Sequence, residues 1–143
     1  MSGTAAYADP ARDAAALFPL MRELRPHLAS AAEFAARWKR QAAEGYRIAA
    51  LWPDERPVAL AGFRLQDNLM HGRHLYVDDL VTAEGERGRG HGARLIAFAI
   101  AEARRQGCGR LVLDTALGNT LGHRFYYRNG LLATALRFSM ALA

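Results

Sequence analysis

The residues with the clearest capacity for chemistry lie in one glycine-rich segment. Gly88, Gly90 and Gly92 alternate with an arginine and a histidine, directly before an apolar pattern with helical spacing. Glycine lets the backbone turn tightly and approach a ligand closely, and the first amides of a helix have no partners inside the helix. Such amides bind anions, and Arg87 and Arg89 add charge suited to phosphate oxygens. The segment therefore predicts a phosphate-binding loop.

Two known phosphate-binding patterns fit this segment poorly. A Walker loop ends in Gly-Lys-Ser/Thr, whereas this one continues as Gly92-Ala93-Arg94. A dinucleotide fingerprint is a closer rival, because Gly88-x-Gly90-x-x-Ala93 has its form and Asp114 lies about twenty residues further on. That fingerprint should directly follow its strand, but the predicted strand ends near Thr82. About fifty residues remain after the loop, too few for a doubly wound sheet.

A third interpretation takes Arg87-x-x-Gly90-x-Gly92 as the unit, and here the chain resembles the GCN5-related N-acetyltransferase (GNAT) family. The family's acetyl-CoA loop has the form Arg/Gln-x-x-Gly-x-Gly/Ala between a strand and a long helix. Residues 76–82 resemble the family's fourth strand. A second motif, Asn119-x-x-Gly122-x-x-Phe125-Tyr126-x-x-x-Gly130-Leu131, resembles a later family signature, with Gly and Leu where Ala and Phe are common. The specific resemblance covers residues 75–131.

The elements that would position these motifs can be predicted along the chain. Two amphipathic helices come first; the first begins at Asp9-Pro10 and ends near Arg25, and the second begins with a capping box at Ser30 and Glu33. Strands at 46–52, 58–65 and 75–82, with Asp67 and Asn68 in the turn before the third, predict an antiparallel meander. Gly62, within the second strand, is a candidate for a close approach or a bulge.

After the glycine segment, the sequence predicts a helix, a strand at 111–113, a helix at 119–128 and a last strand at 133–142. Residues 4–7 are a poor candidate for a first strand. We therefore expect one acetyltransferase-like domain over 1–143, of the α/β (α+β) class. The resemblance adds a mixed, mostly antiparallel twisted sheet flanked by helices, with a bulged fourth strand and a splayed central strand pair at the cofactor site.

The resemblance also implies a set of cofactor-binding residues. The end of the fourth strand would lie along the pantetheine arm, and one of its amides would polarise the thioester carbonyl. The loop amides would hold the diphosphate. Asn119 would bond the pantetheine amide, although a plain helix N-cap explains it equally well. The implied cofactor-binding residues are Leu80, Val81, Thr82, Arg87, Gly88, Arg89, Gly90, His91, Gly92, Ala93, Asn119 and Tyr126.

Two residues are predicted to be catalytic. Tyr126 would protonate the departing thiolate, since a phenol has a pKa near 10. The acceptor amine must lose a proton, and Asp79 is our first choice for the base, with Asp78 or a water chain as alternatives. Strict alternation along a strand would place the two carboxylates on opposite faces. A carboxylate that only pairs with an arginine is an equally good interpretation of either.

Composition limits the cofactors and the cellular compartment that we expect for this chain. The chain has 143 residues, one cysteine and a formal net charge of +5. No cysteine cluster is available for zinc, and His71-x-x-His74, in a predicted solvated turn, lacks further ligands. We expect acetyl-CoA as cosubstrate, with CoA as product and no metal. The lone cysteine and the lack of a signal-like N-terminus predict a cytoplasmic protein.

The predicted function is direct transfer of an acetyl group from acetyl-CoA to a primary amine within a ternary complex. We expect a small-molecule acceptor, with a protein amine as the alternative, and no nucleic-acid or membrane partner; exposed sheet edges are compatible with a homodimer. A CoA-binding module without efficient catalysis, or a basic nucleic-acid-binding protein, would fit parts of the same pattern. The scattered arginines argue against the latter.

Overall fold

The computed structural model describes residues 4–143. Its helices and strands, in chain order, are β1 Ala5–Tyr7, α1 Pro10–Leu24, α2 Ala31–Ala42, β2 Arg47–Leu51, β3 Ala59–Asn68, β4 Gly72–Thr82, the 3-10 helix Glu84–Glu86, α3 His91–Arg105, β5 Arg110–Leu113 and α4 Thr120–Arg128. The chain divides into two compact units, and the boundary falls between Val112 and Leu113, inside β5.

The first unit is built on a sheet with the strand order β1-β2-β3-β4-β5. The pairs from β1 to β4 are antiparallel, which confirms the predicted meander. The doubtful first strand is present, because Ala5 to Tyr7 pair with β2. A sheet in sequential order is not a doubly wound one, so the fold does not support the dinucleotide interpretation or a ribose-binding role for Asp114.

Helices α1 and α2 form where the capping signals predicted them. The Asp9 side chain accepts hydrogen bonds from the amides of residues 11 and 12, and Ser30 Oγ accepts one from the Glu33 amide at 3.1 Å. Both helices bury an apolar stripe on one face of the sheet. The largest side chains of this core are Leu17, Leu20, Met21, Leu28, Phe34, Trp38, Tyr46, Ile48 and Leu60.

Helix α3 also packs against the sheet. The ring of Tyr7 on β1 makes edge contacts with Phe63 on β3 at 6.1 Å and with Phe98 on α3 at 5.2 Å between centroids. Because side chains alternate across a strand, Gly62 and Phe63 lie on opposite faces of the sheet. None of the helices within residues 4–143 has the length and apolar character needed to cross a membrane.

Two sequence predictions about the strands were wrong in detail. Asp67 and Asn68, predicted as a turn, lie in β3 and pair with Arg73 and Gly72. The turn instead follows them, where Asn68 Oδ1 accepts a hydrogen bond from the His71 amide at 2.7 Å. As a result His74 lies inside β4 and is buried, not in a solvated turn.

The second unit contains α4 and the C-terminal segment. The predicted last strand at 133–142 is wrong for this structure: these residues are exposed and form no regular secondary structure. An alternating pattern does not by itself supply the neighbouring strand that the backbone hydrogen bonds of a strand require. No residue between 113 and 143 is buried.

Candidate active site

A β-bulge shapes the second half of β4. Opposite β3, Gly62 pairs with Asp79 and Phe63 pairs with Val77, so β4 holds one extra residue, Asp78, at this point. A bulge bends the strand and redirects its side chains. The bulge expected in the fourth strand is thereby confirmed, and it lies at the two predicted carboxylates.

Asp79 is held by two donors from other elements. Arg25 Nε, at the end of α1, donates to Oδ1 at 2.8 Å, and the Tyr46 hydroxyl donates to Oδ2 at 2.6 Å. Arg25 Nη2 also donates to the backbone carbonyl of Asp78 at 2.7 Å. Burial, with the Asp79 charge, raises the pKa of Tyr46 well above its usual value, so this phenol stays protonated and keeps donating.

Gly62 provides the space for this hydrogen bond. A Cβ at this position would lie 1.9 Å from the Tyr46 hydroxyl oxygen and 2.5 Å from Cζ. Any larger residue would therefore force the ring of Tyr46 away from Asp79. Gly62 was a candidate for a close approach or a bulge; it is a site of close approach, and it lies on β3 opposite the bulge of β4.

Asp78 is less fully engaged. Its Oδ2 accepts a hydrogen bond from Arg64 Nε at 2.9 Å, and its side chain is 25% exposed. Burial raises the pKa of Asp78 above its ordinary value, although Arg64 opposes the shift. Strict alternation would separate Asp78 from Asp79. The bulge interrupts this alternation. The partners of the two carboxylates lie close together, because the guanidinium of Arg64, which binds Asp78, lies 5.6 Å from the ring centroid of Tyr46, which binds Asp79.

The end of β4 carries the three predicted pantetheine-binding residues. Leu80, Val81 and Thr82 pair with Ala61, Leu60 and Ala59 of β3. Val81 is buried in the core under α1 and α2, whereas Leu80 and Thr82 are partly exposed. Only the latter two thus have side chains accessible to a ligand.

The glycine segment adopts the backbone conformation of an anion-binding loop. Gly88 and Gly90 have φ of +79° and +82°, in the left-handed region that favours glycine. Gly90 is the N-cap of α3, and no side chain within residues 4–143 caps this helix. The first turn of α3 also lacks an acidic residue. The amides of His91, Gly92 and Ala93 therefore begin a helix whose positive end is not neutralised by its own side chains.

Charged side chains surround these amides. Arg87 and Arg89 are each 63% exposed; Arg87 lies 3.9 Å from Glu23, and Arg89 lies 3.3 Å from Glu86. The His91 side chain is buried, with Nε2 at 3.2 Å from Glu86 and no hydrogen-bond partner for Nδ1 within residues 4–143. His91 thus anchors the loop from beneath, and its backbone amide is the group available to an anion.

The loop fits a diphosphate such as that of CoA. Space for a close approach exists at Gly88 and Gly90, because no atom lies within 4 Å of where a Cβ would stand. Two exposed guanidiniums flank an uncapped helix N-terminus. Backbone amides plus arginines are the donor set that phosphate oxygens bind.

In the second unit, Asn119 is the N-cap of α4. Its Oδ1 accepts a hydrogen bond from the Gly122 amide at 3.1 Å, and its Nδ2 donates to Thr115 Oγ1 at 3.0 Å. A Cβ on Gly122 would lie 2.4 Å from Nδ2, so glycine at this position accommodates the cap. The N-cap interpretation of Asn119 is confirmed.

Tyr126 lies two helical turns beyond Asn119. It is partly buried, its ring makes an edge contact with Phe125 at 5.3 Å, and burial raises the pKa of its phenol. Tyr127 is 56% exposed. His123, one turn earlier, has Nε2 at 2.9 Å from the Ala116 carbonyl, a local contact. Tyr126 is thus the more enclosed of the two phenols and is held in its protonated form.

Sequence reasoning missed three residues of the first unit: Arg25, Tyr46 and Glu86. Arg25 was predicted only as a helix end, and Glu86 was assigned no role. Tyr46 could have been suspected from Gly62, because a glycine within a strand indicates that a large side chain approaches the backbone closely. Among residues 4–143, no three side chains of His, Cys, Asp and Glu are grouped so as to bind a metal ion.

Comparison with known proteins agrees with this arrangement. Residues 14–131 match the model of the acetyltransferase (GNAT) family. The uncharacterized N-acetyltransferase YhdJ of Bacillus subtilis (strain 168) is 32% identical over 109 residues, which are 76% of this chain and 77% of the relative. An aminoalkylphosphonate N-acetyltransferase of Salmonella typhimurium is 33% identical over 86 residues, 59% of this chain and 56% of that protein.

Solved structures share the fold. An acetyltransferase of Trypanosoma brucei matches with a TM-score of 0.80 at 22% identity, over 96% of this chain and 98% of its own. The structure of AAC(6')-Iy with a bisubstrate analogue matches with a TM-score of 0.83 at 16% identity, over 97% of both chains. From the family match and the relatives together, the chain is an acetyltransferase and belongs to the GNAT family.

Proposed function

We propose that this protein transfers the acetyl group of acetyl-CoA to a primary amine of a small molecule, with both substrates bound together. The single observation that carries the cofactor assignment is the uncapped N-terminus of α3 behind two positive-φ glycines. The family match crosses the boundary between the two units, at residues 14–131. This supports treating residues 1–143 as one acetyltransferase domain.

Acetyl-CoA supplies an activated acetyl thioester, and the chain supplies positioning and proton transfer. The amides of residues 90–93, with Arg87 and Arg89, bind the diphosphate. Leu80 to Thr82 line the pantetheine arm, and an amide among them polarises the carbonyl. Asn119 would also form a hydrogen bond with the pantetheine amide, using the hydrogen-bonding capacity of its side chain that the N-cap does not take up. Proximity of the two reactants provides much of the rate enhancement.

Tyr126 is the proposed general acid. Because burial raises the pKa of its phenol, the side chain carries its proton at neutral pH. A phenol of this kind can protonate the thiolate as it departs. Tyr127, one residue on and more exposed, is the natural comparison.

The base is proposed to be a carboxylate of the β4 bulge. Asp79 was the first choice from sequence, but its two oxygens already accept hydrogen bonds from Arg25 and Tyr46. Asp78 has a raised pKa, and its Oδ1 accepts no hydrogen bond within residues 4–143. A carboxylate with a raised pKa is the better base. We therefore favour Asp78 as the base and Asp79 as the residue that positions the bulge.

A small-molecule acceptor has support from relatives. One is named for aminoalkylphosphonates, and the structure of AAC(6')-Iy contains an analogue that joins CoA to an acetylated neamine. The latter also supports simultaneous binding of both substrates. A protein amine is the alternative acceptor.

Release of CoA from acetyl-CoA should be measured across a panel of aminoalkylphosphonates, aminoglycosides, simple alkylamines and peptides with free amines. We expect turnover with at least one small amine, and mass spectrometry should show one added acetyl group on it. Initial rates at varied concentrations of both substrates should give intersecting lines. Parallel lines with an acetylated enzyme would contradict the ternary complex, and turnover with peptides alone would contradict the small-molecule assignment.

A further inference from the structure

Arg64, on β3, contacts the β4 bulge with only part of its guanidinium. Its Nε donates to Asp78 Oδ2 at 2.9 Å, and its guanidinium lies 5.6 Å from the ring centroid of Tyr46. Within residues 4–143 the structure gives neither of its Nη atoms a hydrogen-bond partner. The Nε–H is only one of the donors of a guanidinium, so the donors of both Nη atoms remain for a ligand.

Arg25, the other arginine at the bulge, is more fully engaged. Its Nε donates to Asp79 Oδ1 at 2.8 Å, and its Nη2 donates to the Asp78 carbonyl at 2.7 Å and lies 2.8 Å from Asp79 Oδ1. These contacts hold the backbone and the carboxylate of the bulge in place. Arg25 is therefore a structural residue, whereas Arg64 has a complete Nη edge that the fold does not use.

The Arg64 guanidinium is also fixed in position by its neighbours. The ion pair with Asp78 and the contact with the Tyr46 ring orient it, and its side chain is 26% exposed, against 63% for each arginine of the glycine loop. Partial burial strengthens the attraction between opposite charges, because less water screens them. The paired Nη donors of a guanidinium match the spacing of two oxygens in a carboxylate or a phosphonate. Arg64 thus has the properties of an anion-binding residue.

The proposed proton transfer changes the charge beside Arg64. Before the reaction, the carboxylate of Asp78 neutralises the guanidinium. When Asp78, as the proposed base, takes a proton from the acceptor amine, it loses its negative charge and Arg64 stays positive. A partly buried charge without a counter-ion is unfavourable. An acidic group on the acceptor, bound at the Nη atoms, would supply the missing negative charge during this step and would therefore favour the transition state over the ground state.

We propose that the acceptor carries an acidic group close to its amine, and that Arg64 is the residue that selects it. The amine binds at Asp78 Oδ1, which accepts no hydrogen bond within residues 4–143, and a carboxylate, phosphonate or phosphate binds at the Nη atoms of Arg64. Both contacts belong to one ion pair, so only a few bonds separate the two groups of the acceptor. The acidic acceptor is a subclass of the primary amines in the proposed function, on which its assignment rests. Every residue involved lies in the first unit.

The first test compares three amines of similar length. Aminoethylphosphonate and β-alanine carry an acidic group, and propylamine carries none. The wild type should acetylate the two acidic amines with a kcat/KM at least about tenfold above that for propylamine, the effect of a hydrogen bond to a charged group. Arg64→Gln should bring this ratio close to one. Arg104→Gln, at an exposed position on α3, removes the same charge and should keep the ratio of the wild type.

The ratio separates the role of Arg64 from acetyl transfer itself. Arg64→Gln also changes the surroundings of Asp78, but that effect alters the turnover of every amine alike, whereas loss of the anion contact changes the ratio. Equal kcat/KM values for propylamine and the acidic amines in the wild type would overturn the proposal. So would an unchanged ratio in Arg64→Gln. In both cases the protein would still be an acetyltransferase of primary amines.

The second test measures the same contact without acetyl transfer. Propylphosphonate has the acidic group but no amine, so it cannot be acetylated. With CoA bound, so that the glycine loop is occupied, calorimetric titration should show that propylphosphonate binds the wild type at least about tenfold more tightly than Arg64→Gln. Arg64→Lys, which keeps the charge but lacks the planar pair of donors, should have an intermediate affinity and serves as the comparison if Arg64→Gln does not fold. Equal affinity of the wild type and the Arg64 variants would contradict the proposal, whatever the turnover.

Discussion

The hydroxyl of Tyr46, the residue before β2, donates a 2.6 Å hydrogen bond to the carboxylate of Asp79 on β4. It does so through the space left by Gly62 on the strand between them. Asp79 is only 12% exposed and also binds Arg25 from α1. The β4 bulge is therefore held by the residue after α1 and the residue before β2, and these contacts also fix the backbone of Asp78.

Replacing Tyr46 by Phe should destabilise the protein. The change removes one of two donors to a mostly buried carboxylate, and hydrogen bonds to charged groups contribute about 1.5–3 kcal/mol. Chemical denaturation should show a loss of this size. Tyr127→Phe, at an exposed position, is the matched control and should change stability by less than about 0.5 kcal/mol. Equal stability of Tyr46→Phe and the wild type would mean that this hydrogen bond contributes nothing.

Gly62→Ala should also destabilise the protein, for a steric reason. The added methyl group would meet the Tyr46 ring at 1.9–2.8 Å, and forced repacking of a core costs about 1–3 kcal/mol. Gly109→Ala is a suitable control, because a Cβ there meets nothing within 4 Å. If both variants unfold at the same denaturant concentration, the close approach at Gly62 is not a constraint.

Asp78→Asn should reduce turnover by about 10²–10⁴-fold, the range for removal of a general base. Turnover of the wild type should fall as pH is lowered through the raised pKa of Asp78, because the protonated carboxyl cannot accept a proton. By comparison with Asp78→Asn, Asp79→Asn should lose more stability and less turnover. A pH profile that keeps its acid limb in Asp78→Asn would assign the base elsewhere.

Tyr126→Phe should lower kcat by about 10²-fold or more while leaving CoA affinity nearly unchanged, since a general acid acts on the leaving group and not on binding. Tyr127→Phe should have little effect on either quantity. Because burial raises the pKa of Tyr126, the wild-type rate should not decline on the alkaline side as the pH passes the ordinary pKa of a tyrosine. Unchanged kcat in Tyr126→Phe would exclude it as the acid.

Much of the fold could be predicted from local signals. Asp9, Pro10, Ser30 and Glu33 act within one helical turn, so the starts of α1 and α2 were readable from sequence. The glycine loop and the second motif likewise have fixed spacings. The Tyr46–Asp79 contact was not readable, because it joins residues 33 positions apart and depends on a bulge that shifts the register of β4.

The last strand shows a different limit of prediction. The alternation from Leu136 to Leu142 is typical of a strand, but it does not supply the neighbouring strand that the backbone hydrogen bonds require. The structure assigns no strand to these residues. The hairpin at Asp67 and Asn68 was misplaced because both residues favour turns, whereas pairing with Gly72 and Arg73 extends β3 past them.

The most direct test of the central claim is thermal unfolding of the wild type and of Gly90→Ala, each with acetyl-CoA, CoA, NAD or no ligand. A ligand that binds only the native state raises the midpoint by mass action. We expect acetyl-CoA and CoA, but not NAD, to stabilise the wild type. Gly90→Ala should lose most of this shift, because alanine disfavours the φ of +82° at the N-cap of α3, whereas Gly85→Ala should retain it. No shift of the wild type at saturating CoA, or a shift with NAD alone, would contradict the assignment of this loop to acetyl-CoA.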